Sequence, residues 1–259
     1  LGLRIALGDL AVLGWKTAIM LASAIFTTIV LGVGLARLLG LQKRFGALTG
    51  GSVAICGASA ALAISTILPK SENHERDTLL TVIVVTAMST IAMVLYPIIV
   101  GQVSMTDIEA GIFLGGTIHD VAQVVGAGYS VSENAGDMAT LTKLVRVAML
   151  MPVILIIMLV CKRFYTSSAH ADSSEVPKVP LFLIGFIVLM LLNSFVVLPE
   201  IVIETGTQIS RFFLVVSISA IGMKSNLGKL AEVGVLPIVM ILMETLWIAL
   251  LILGYLYFV

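Results

Sequence analysis

The stretch GALTGGSVAICGASAALAIS, residues 46–65, carries no charged side chain and decides the class of the protein. A transmembrane helix needs about 20 mostly apolar residues, and this run meets that length. Gly46, Gly50, Ala54 and Ala58 form one small stripe at i+4 spacing, a pattern that lets helix backbones approach closely. Glycines at 50, 51 and 57, with hydroxyls at Ser52 and Ser59, also weaken the helix enough to break it. A broken helix frees N–H groups and offers the positive end of its dipole to an anion. Tight packing alone is the alternative reading of the same glycines.

Outward from this run, the same ruler finds eight spans, near residues 13–37, 46–68, 78–100, 110–129, 139–161, 181–198, 206–223 and 235–258. Short polar separators part them, such as LQKRF (41–45), PKSENHERD (69–77) and QVSMTDIE (102–109). In lipid only helices and closed barrels satisfy every backbone group, and continuous apolar runs are not the ten-residue alternations of a barrel. The expected fold is therefore all-α, a polytopic transmembrane helix bundle forming one domain over residues 1–259. The opening LGLRIALGDL reads as a helix already under way, so earlier spans are expected to precede Leu1.

Composition agrees. The 259 residues are 59% hydrophobic and 12% charged, against roughly 25% charged in soluble domains, so the bilayer is the solvent. A formal net charge of +0 removes the electrostatic case for a nucleic-acid partner. Cys56 and Cys161 lie apart with no CxxC spacing, which gives neither a disulfide framework nor a zinc site. No metal or cofactor is expected. No GxxxxGK[ST] loop occurs, so a gradient rather than ATP would supply energy. With eight crossing spans, Arg37, Lys43, Arg44, Lys162, Arg163, Lys178, Lys224 and Lys229 fall on one side and Arg4, Lys16, Lys70 and Arg76 on the other. The positive-inside rule puts the first set in the cytoplasm.

A faint repeat is present. SEN at 71–73 recurs at 132–134, and both copies follow a Gly-Gly-hydroxyl segment, Gly50-Gly51-Ser52 and Gly115-Gly116-Thr117. With two spans between copies the relation would be parallel, with chance similarity as the alternative.

The polar residues inside apolar spans carry the chemistry. GGTIHDVAQVVGAG (115–128) holds His119 and Asp120, and on a continuous helix Gly116, Asp120, Gln123 and Ala127 would share a face. A charge at the bilayer centre costs at least ~2.5–3.5 kcal/mol, so Asp120 implies a polar cavity or a paired cation. His beside Asp is also a proton-handling couple. Lys143 and Arg146 sit at i,i+3 in the fifth span; they would neutralise Asp120, bind substrate or snorkel, snorkelling being the favoured fate of Lys143. Pro152 should kink or break that helix. Glu244, isolated in VLPIVMILMETLWIALLIL (235–253), should face the bundle and either pair with a cation or carry a proton. Ser217, Ser219 and Gly222 mark a second broken-helix candidate.

VAICGASAA (53–61), GTIHDVAQVVGAG (116–128), TKLVRVAMLMP (142–152) and VPLFLIGFIVLMLLNSF (179–195) together resemble the YeiH-like family of bacterial inner-membrane proteins, often labelled sulfate exporters. The resemblance covers essentially the whole chain. It implies a multi-pass inner-membrane protein with an inverted-repeat transporter fold, similar to sodium/proton antiporters and bile-acid symporters, in which two broken helices cross at the midplane. Here those would be the segments Gly50 to Ser59 and Ser217 to Gly222. Where family members often have Glu after the His this chain has Asp120, and where some have hydroxyls before Ile-Cys-Gly it has Val53 and Ala54.

The expected function is secondary transport of a small anion, sulfate or an organosulfur acid, and not an enzymatic activity. Ser52, Cys56, Gly57, Ser59, Gln123, Arg146, Ser219 and Gly222 would bind the substrate. His119, Asp120 and Glu244 would couple its movement to protons. A channel or membrane sensor is the alternative, and an intramembrane hydrolase built on Ser52 or Ser59 with His119 and Asp120 a further one. The partners are the lipid bilayer and an anionic solute, with self-association left open.

Overall fold

Among the described residues four apolar stretches are long enough to cross a membrane, Leu13–Leu38, His74–Val103, Glu133–Val160 and Val235–Phe258. They belong to a computed structural model that describes residues 7–69, 73–165 and 235–258, with scattered positions between 188 and 216. The described elements are α1 (Leu7–Leu38), α2 (Lys43–Ala54), α3 (Ala58–Ile67), α4 (His74–Val103), α5 (Asp107–Thr117), α6 (Val121–Val131), α7 (Glu133–Ala148), α8 (Leu150–Tyr165) and α9 (Val235–Phe258). The protein is all-helical, as expected. Ser217 to Gly222 lies outside the described residues.

The two spans expected near 46–68 and 110–129 do not cross. Each is a pair of half-helices that turns back on itself. At 1.5 Å per residue the 12 residues of α2 rise about 18 Å, a little over half of a ~30 Å hydrocarbon core. The chain then reverses at Ile55–Gly57. A Cβ on Gly51 of α2 would strike Ile64 of α3. Arg44 at the start of α2 donates to the Pro69 carbonyl beyond the end of α3 at 3.1 Å. Both pairs are centred on the break, so the legs run antiparallel and α2–α3 is a re-entrant hairpin.

α5 and α6 form a second hairpin. Gly111 packs on Ala135 and Met138, and Gly115 on Ala139 and Thr142, so α5 runs alongside α7 in the same direction. Gly128 of α6 packs on Ala135, Gly136 and Ala139, running the opposite way. Side-chain caps set these elements. Thr106 and Glu109 form a reciprocal capping box at the start of α5, and the Ser132 hydroxyl accepts from Ala135 N at the start of α7, each satisfying donors that a helix start leaves open.

The hairpins enter from opposite ends of the bundle. Arg44 also pairs with Asp77 at the start of α4, at 3.3 Å. A cavity of about 430 Å³ between Gln42, Phe45, Asp77, Leu80 and Val235 joins the base of the first hairpin to the starts of α4 and α9. From this Arg44 end α4 runs to the other, where α5, α6 and α7 meet, and α7–α8 runs back. The chain thus repeats hairpin plus long helix in opposite directions. Asn73, the last residue of the first SEN copy, stands at the N-cap position of α4, and Ser132, the first residue of the second, caps α7 with its side chain. Because each broken span returns to its own side, one crossing separates the copies rather than the two expected.

Two further expectations take their detail from the structure. The small stripe is shorter, since Ala58 belongs to α3 beyond the break. What remains packs on α1, where Gly46 abuts Gly32 and a Cβ on Gly50 would lie 2.9 Å from the Thr28 carbonyl oxygen. The fifth span breaks where Pro152 removes a donor: α7 ends at Ala148 and α8 begins at Leu150, with Met149 as the hinge.

Candidate functional site

The two hairpin tips meet. The first is Ile55-Cys56-Gly57 and the second Ile118-His119-Asp120. Gly57 has φ 65° and ψ −124°, a region open to glycine and strained for other residues. A Cβ there would lie 3.3 Å from His119 Cβ. The sequence foresaw a break in the first span only; in the second, Asp120 is not a mid-helix carboxylate sharing a face with Gly116. It is the N-cap of α6, accepting from Ala122 N at 2.9 Å and Gln123 N at 3.2 Å.

Two half-helix C-termini, α2 and α5, bring their unpaired carbonyls and negative dipole ends to the tips. Lys143 and Arg146, one turn apart on α7 and both 0% exposed, satisfy them. Lys143 Nζ donates to Ile55 O at 2.6 Å and Ile118 O at 3.0 Å. Arg146 donates from Nε to Ala54 O, from Nη2 to Val53 O and Ala54 O, and from Nη1 to Gly115 O, Gly116 O and Ile118 O, at 2.6–3.3 Å. Lys143 therefore does not snorkel. Neither cation forms an ion pair with Asp120 among the described residues. One helix clamps both hairpins through their main chains, and the planar guanidinium is suited to several acceptors at once.

The opposite faces of the tips are the N-termini of α3 and α6. The N-cap of α3 is Gly57, which has no side chain to contribute, while the Asp120 carboxylate caps α6. The carbonyl side, residues 53–57 and 115–119, is buried throughout, but Ser59 is exposed and Ala58, Asp120, Val121 and Ala122 are half-buried. The exposed and half-buried positions at the tips are thus on the N–H side.

Several polar groups stand near the tips and along the legs that lead to them. Asp120 N donates to Ser89 Oγ at 3.0 Å and Gln123 Nε2 to Thr90 Oγ1 at 3.0 Å, both hydroxyls on α4. Gln123 is 1% exposed, yet its Oε1 has no partner. His119 Nε2 lies 3.1 Å from Thr245 Oγ1 on α9, and its Nδ1 has no partner. Glu244, beside Thr245, accepts from Thr49 Oγ1 of α2 at 2.8 Å and has no cation paired to it among the described residues. Ser52 is spent on the Leu48 carbonyl of its own helix, and Cys56 is a buried free thiol at the first tip.

Of the expected site residues the tips gather Cys56, Gly57, His119, Asp120 and Arg146, with Ser59 and Gln123 in the turns that follow. Ser219 and Gly222 are outside the described residues. Thr49, Ser89 and Thr90 went unnoticed in the sequence, being hydroxyls of the kind that return to their own helix carbonyls, while Thr245 stood out there only as the neighbour of Glu244. His119 has Thr245 and no serine as its described partner, so a Ser–His couple with Ser52 or Ser59 is not assembled.

No solved structure matches the chain. Among curated proteins, a UPF0324 membrane protein of Chlorobaculum tepidum is 47% identical over 98% of this chain and 70% of its own length. The UPF0324 membrane protein TauZ of Paracoccus denitrificans is 48% identical over 96% of this chain and 73% of its own length. A UPF0324 membrane protein of Rhizobium meliloti is 47% identical over 100% of this chain and 74% of its own length. The model of the family described as conserved hypothetical protein 698 matches residues 1–241. The chain belongs to that family, the multi-pass bacterial UPF0324 membrane proteins, as its ICGASA and HDVAQVVGAG segments led one to expect.

Proposed function

We propose that the protein is a secondary transporter of a small anion, with the two opposed hairpin tips as its midplane site and an inverted repeat as its frame. The observation that carries this reading is the charge arrangement at the tips. Two helix C-termini and two N-termini offset one another, so Lys143 and Arg146 against Asp120 leave an excess of one positive charge. That excess is presented through the uncapped N-terminus of α3, where N–H groups and the dipole favour an anion. Arg146 acts by holding the tips, since its donors are occupied, and the anion is met by the N–H groups of α3, Ser59 and Gln123 Oε1, the last by accepting from a donor on the solute or its water. Half-helix ends and irregular backbone around a midplane site are the recurring construction of transporters.

The Arg44 end is the cytoplasmic one in this reading. With the hairpins folded back, Arg37, Lys43, Arg44 and Arg76 share that end, while the turns at the other carry Asp107, Glu109, Glu133 and Asp137, the distribution the positive-inside rule associates with the cytoplasm. Sulfate or an organosulfur acid is the solute proposed, and energy comes from an ion gradient. An enzymatic role is not part of the proposal. The test is flux of sulfate and a panel of sulfonates into proteoliposomes with and without a pH gradient. Saturable flux that responds to the gradient supports the reading. Absence of flux for the whole panel would refute it, and linear flux would favour a channel.

A further inference from the structure

Glu244 sits where α9 meets α1 and α2, with 0% exposure. The Thr49 hydroxyl donates to its Oε1, and Oε2 has no partner. Room for the carboxyl comes from a glycine: a Cβ on Gly32 of α1 would lie 2.6 Å from Oε1 and 2.5 Å from the Gly46 carbonyl oxygen. The next residue, Thr245, reaches His119 at the second tip. Two adjacent residues of α9 thus touch both hairpins, one through the leg of the first and one through the tip of the second.

A pure packing anchor would not need a carboxyl with one bare oxygen, because burying an isolated carboxylate is costly and a neutral group would serve. A metal cation fits poorly as well. Hard cations collect about six or more oxygens, and here Glu244, Thr49 and the Gly46 carbonyl are the oxygens brought together. A proton needs only the free Oε2. From α1 and α2, Gly32, Gly46, Thr49 and Gly50 bring no titratable group to Glu244. Across Thr245 lies His119, and behind it Lys143 and Arg146, which are held by the tip carbonyls.

We propose that Glu244 is the proton-binding site that couples a proton gradient to the hairpins; the coupling rests on the transporter reading above. A proton from water adds to Oε2 of the carboxylate to give the neutral acid and is returned to water when the site opens to the other side. The bond from Thr49 to the carboxylate is charge-assisted and roughly twice as strong as a neutral one, so protonation loosens α9 from the first hairpin.

Two measurements test this separately. In purified protein in lipid nanodiscs, dicyclohexylcarbodiimide, which attacks protonated carboxyls in apolar surroundings, is expected to modify Glu244 as read by mass spectrometry. Labelling should fall as pH rises, be indifferent to sodium, and vanish in Glu244→Gln. No labelling at any pH, or protection by sodium, would overturn the site. In proteoliposomes, Glu244→Gln is expected to keep sulfate counterflow without a gradient and to lose about tenfold of the acceleration by a pH gradient, whereas Thr49→Ser keeps both. A Glu244→Gln protein still driven by the pH gradient would overturn the coupling. If the wild type labels with pH but moves no anion, the proton site stands and the transporter reading falls.

Discussion

The hairpins α2–α3 and α5–α6 share one construction and differ in their chemistry. Each enters from its own end of the bundle, breaks near the middle and gives its first half-helix's carbonyls to Lys143 and Arg146. Beyond the break they part. α3 starts bare at Gly57, whereas α6 starts under the Asp120 carboxylate. The long helices that follow differ too. At the offset that aligns the two SEN copies, Val82 and Val85 of α4 correspond to Lys143 and Arg146 of α7. The backbone plan is repeated, but one unit supplies the cations for both. Function in this account resides in that asymmetry, because two identical units would leave both starts capped or both bare.

The largest effect should come from the shared clamp. Arg146→Met leaves buried carbonyls at both tips without donors and is expected to cost at least ~3 kcal/mol, read as a lower thermal midpoint in detergent. Lys143→Met should cost somewhat less, having fewer bonds to lose. Unchanged midpoints would show that the tips do not depend on α7.

Next is the bare tip. Gly57→Ala forces a side chain into a glycine conformation against His119 and should cost about 1–3 kcal/mol. The capped tip should be less sensitive. Asp120→Ala loses an N-cap, for about 1 kcal/mol, and Asp120→Asn, which can still cap, should be within a few tenths. If Asp120→Ala proved costlier than Gly57→Ala by chemical denaturation, the contrast between the tips would be misassigned. The smallest effect is expected at the hairpin base, where Arg44→Gln removes a partly exposed pair with Asp77 worth under about 1 kcal/mol, again by thermal midpoint.

The membrane class and the all-helical bundle were legible in the sequence because long apolar runs admit few alternatives. The first break was legible from Gly50, Gly51 and Gly57. The second was not, since no glycine interrupts Ile118-His119-Asp120, although an Asp followed by apolar residues is also an N-cap signature. Reversal of the chain was hidden for a physical reason: two apolar half-helices and a tip have the same length and composition as one crossing helix. The roles of Lys143 and Arg146 were hidden because their partners are main-chain carbonyls, which have no residue identity to read. Glu244 stood out in sequence as an isolated charge, but its link to both hairpins through Thr49 and Thr245 needed the packing of α9.

The opposed hairpins are the centre of the account, and membrane sidedness tests them directly. Single cysteines at Gln42, Glu75, Gln102 and Asn134, introduced with Cys56 and Cys161 replaced, would be treated with an impermeant maleimide on intact and inverted vesicles. Gln42→Cys and Glu75→Cys are expected to label from one face and Gln102→Cys and Asn134→Cys from the other. Labelling of Gln42→Cys and Glu75→Cys from opposite faces would contradict it, because α2–α3 would then cross the membrane.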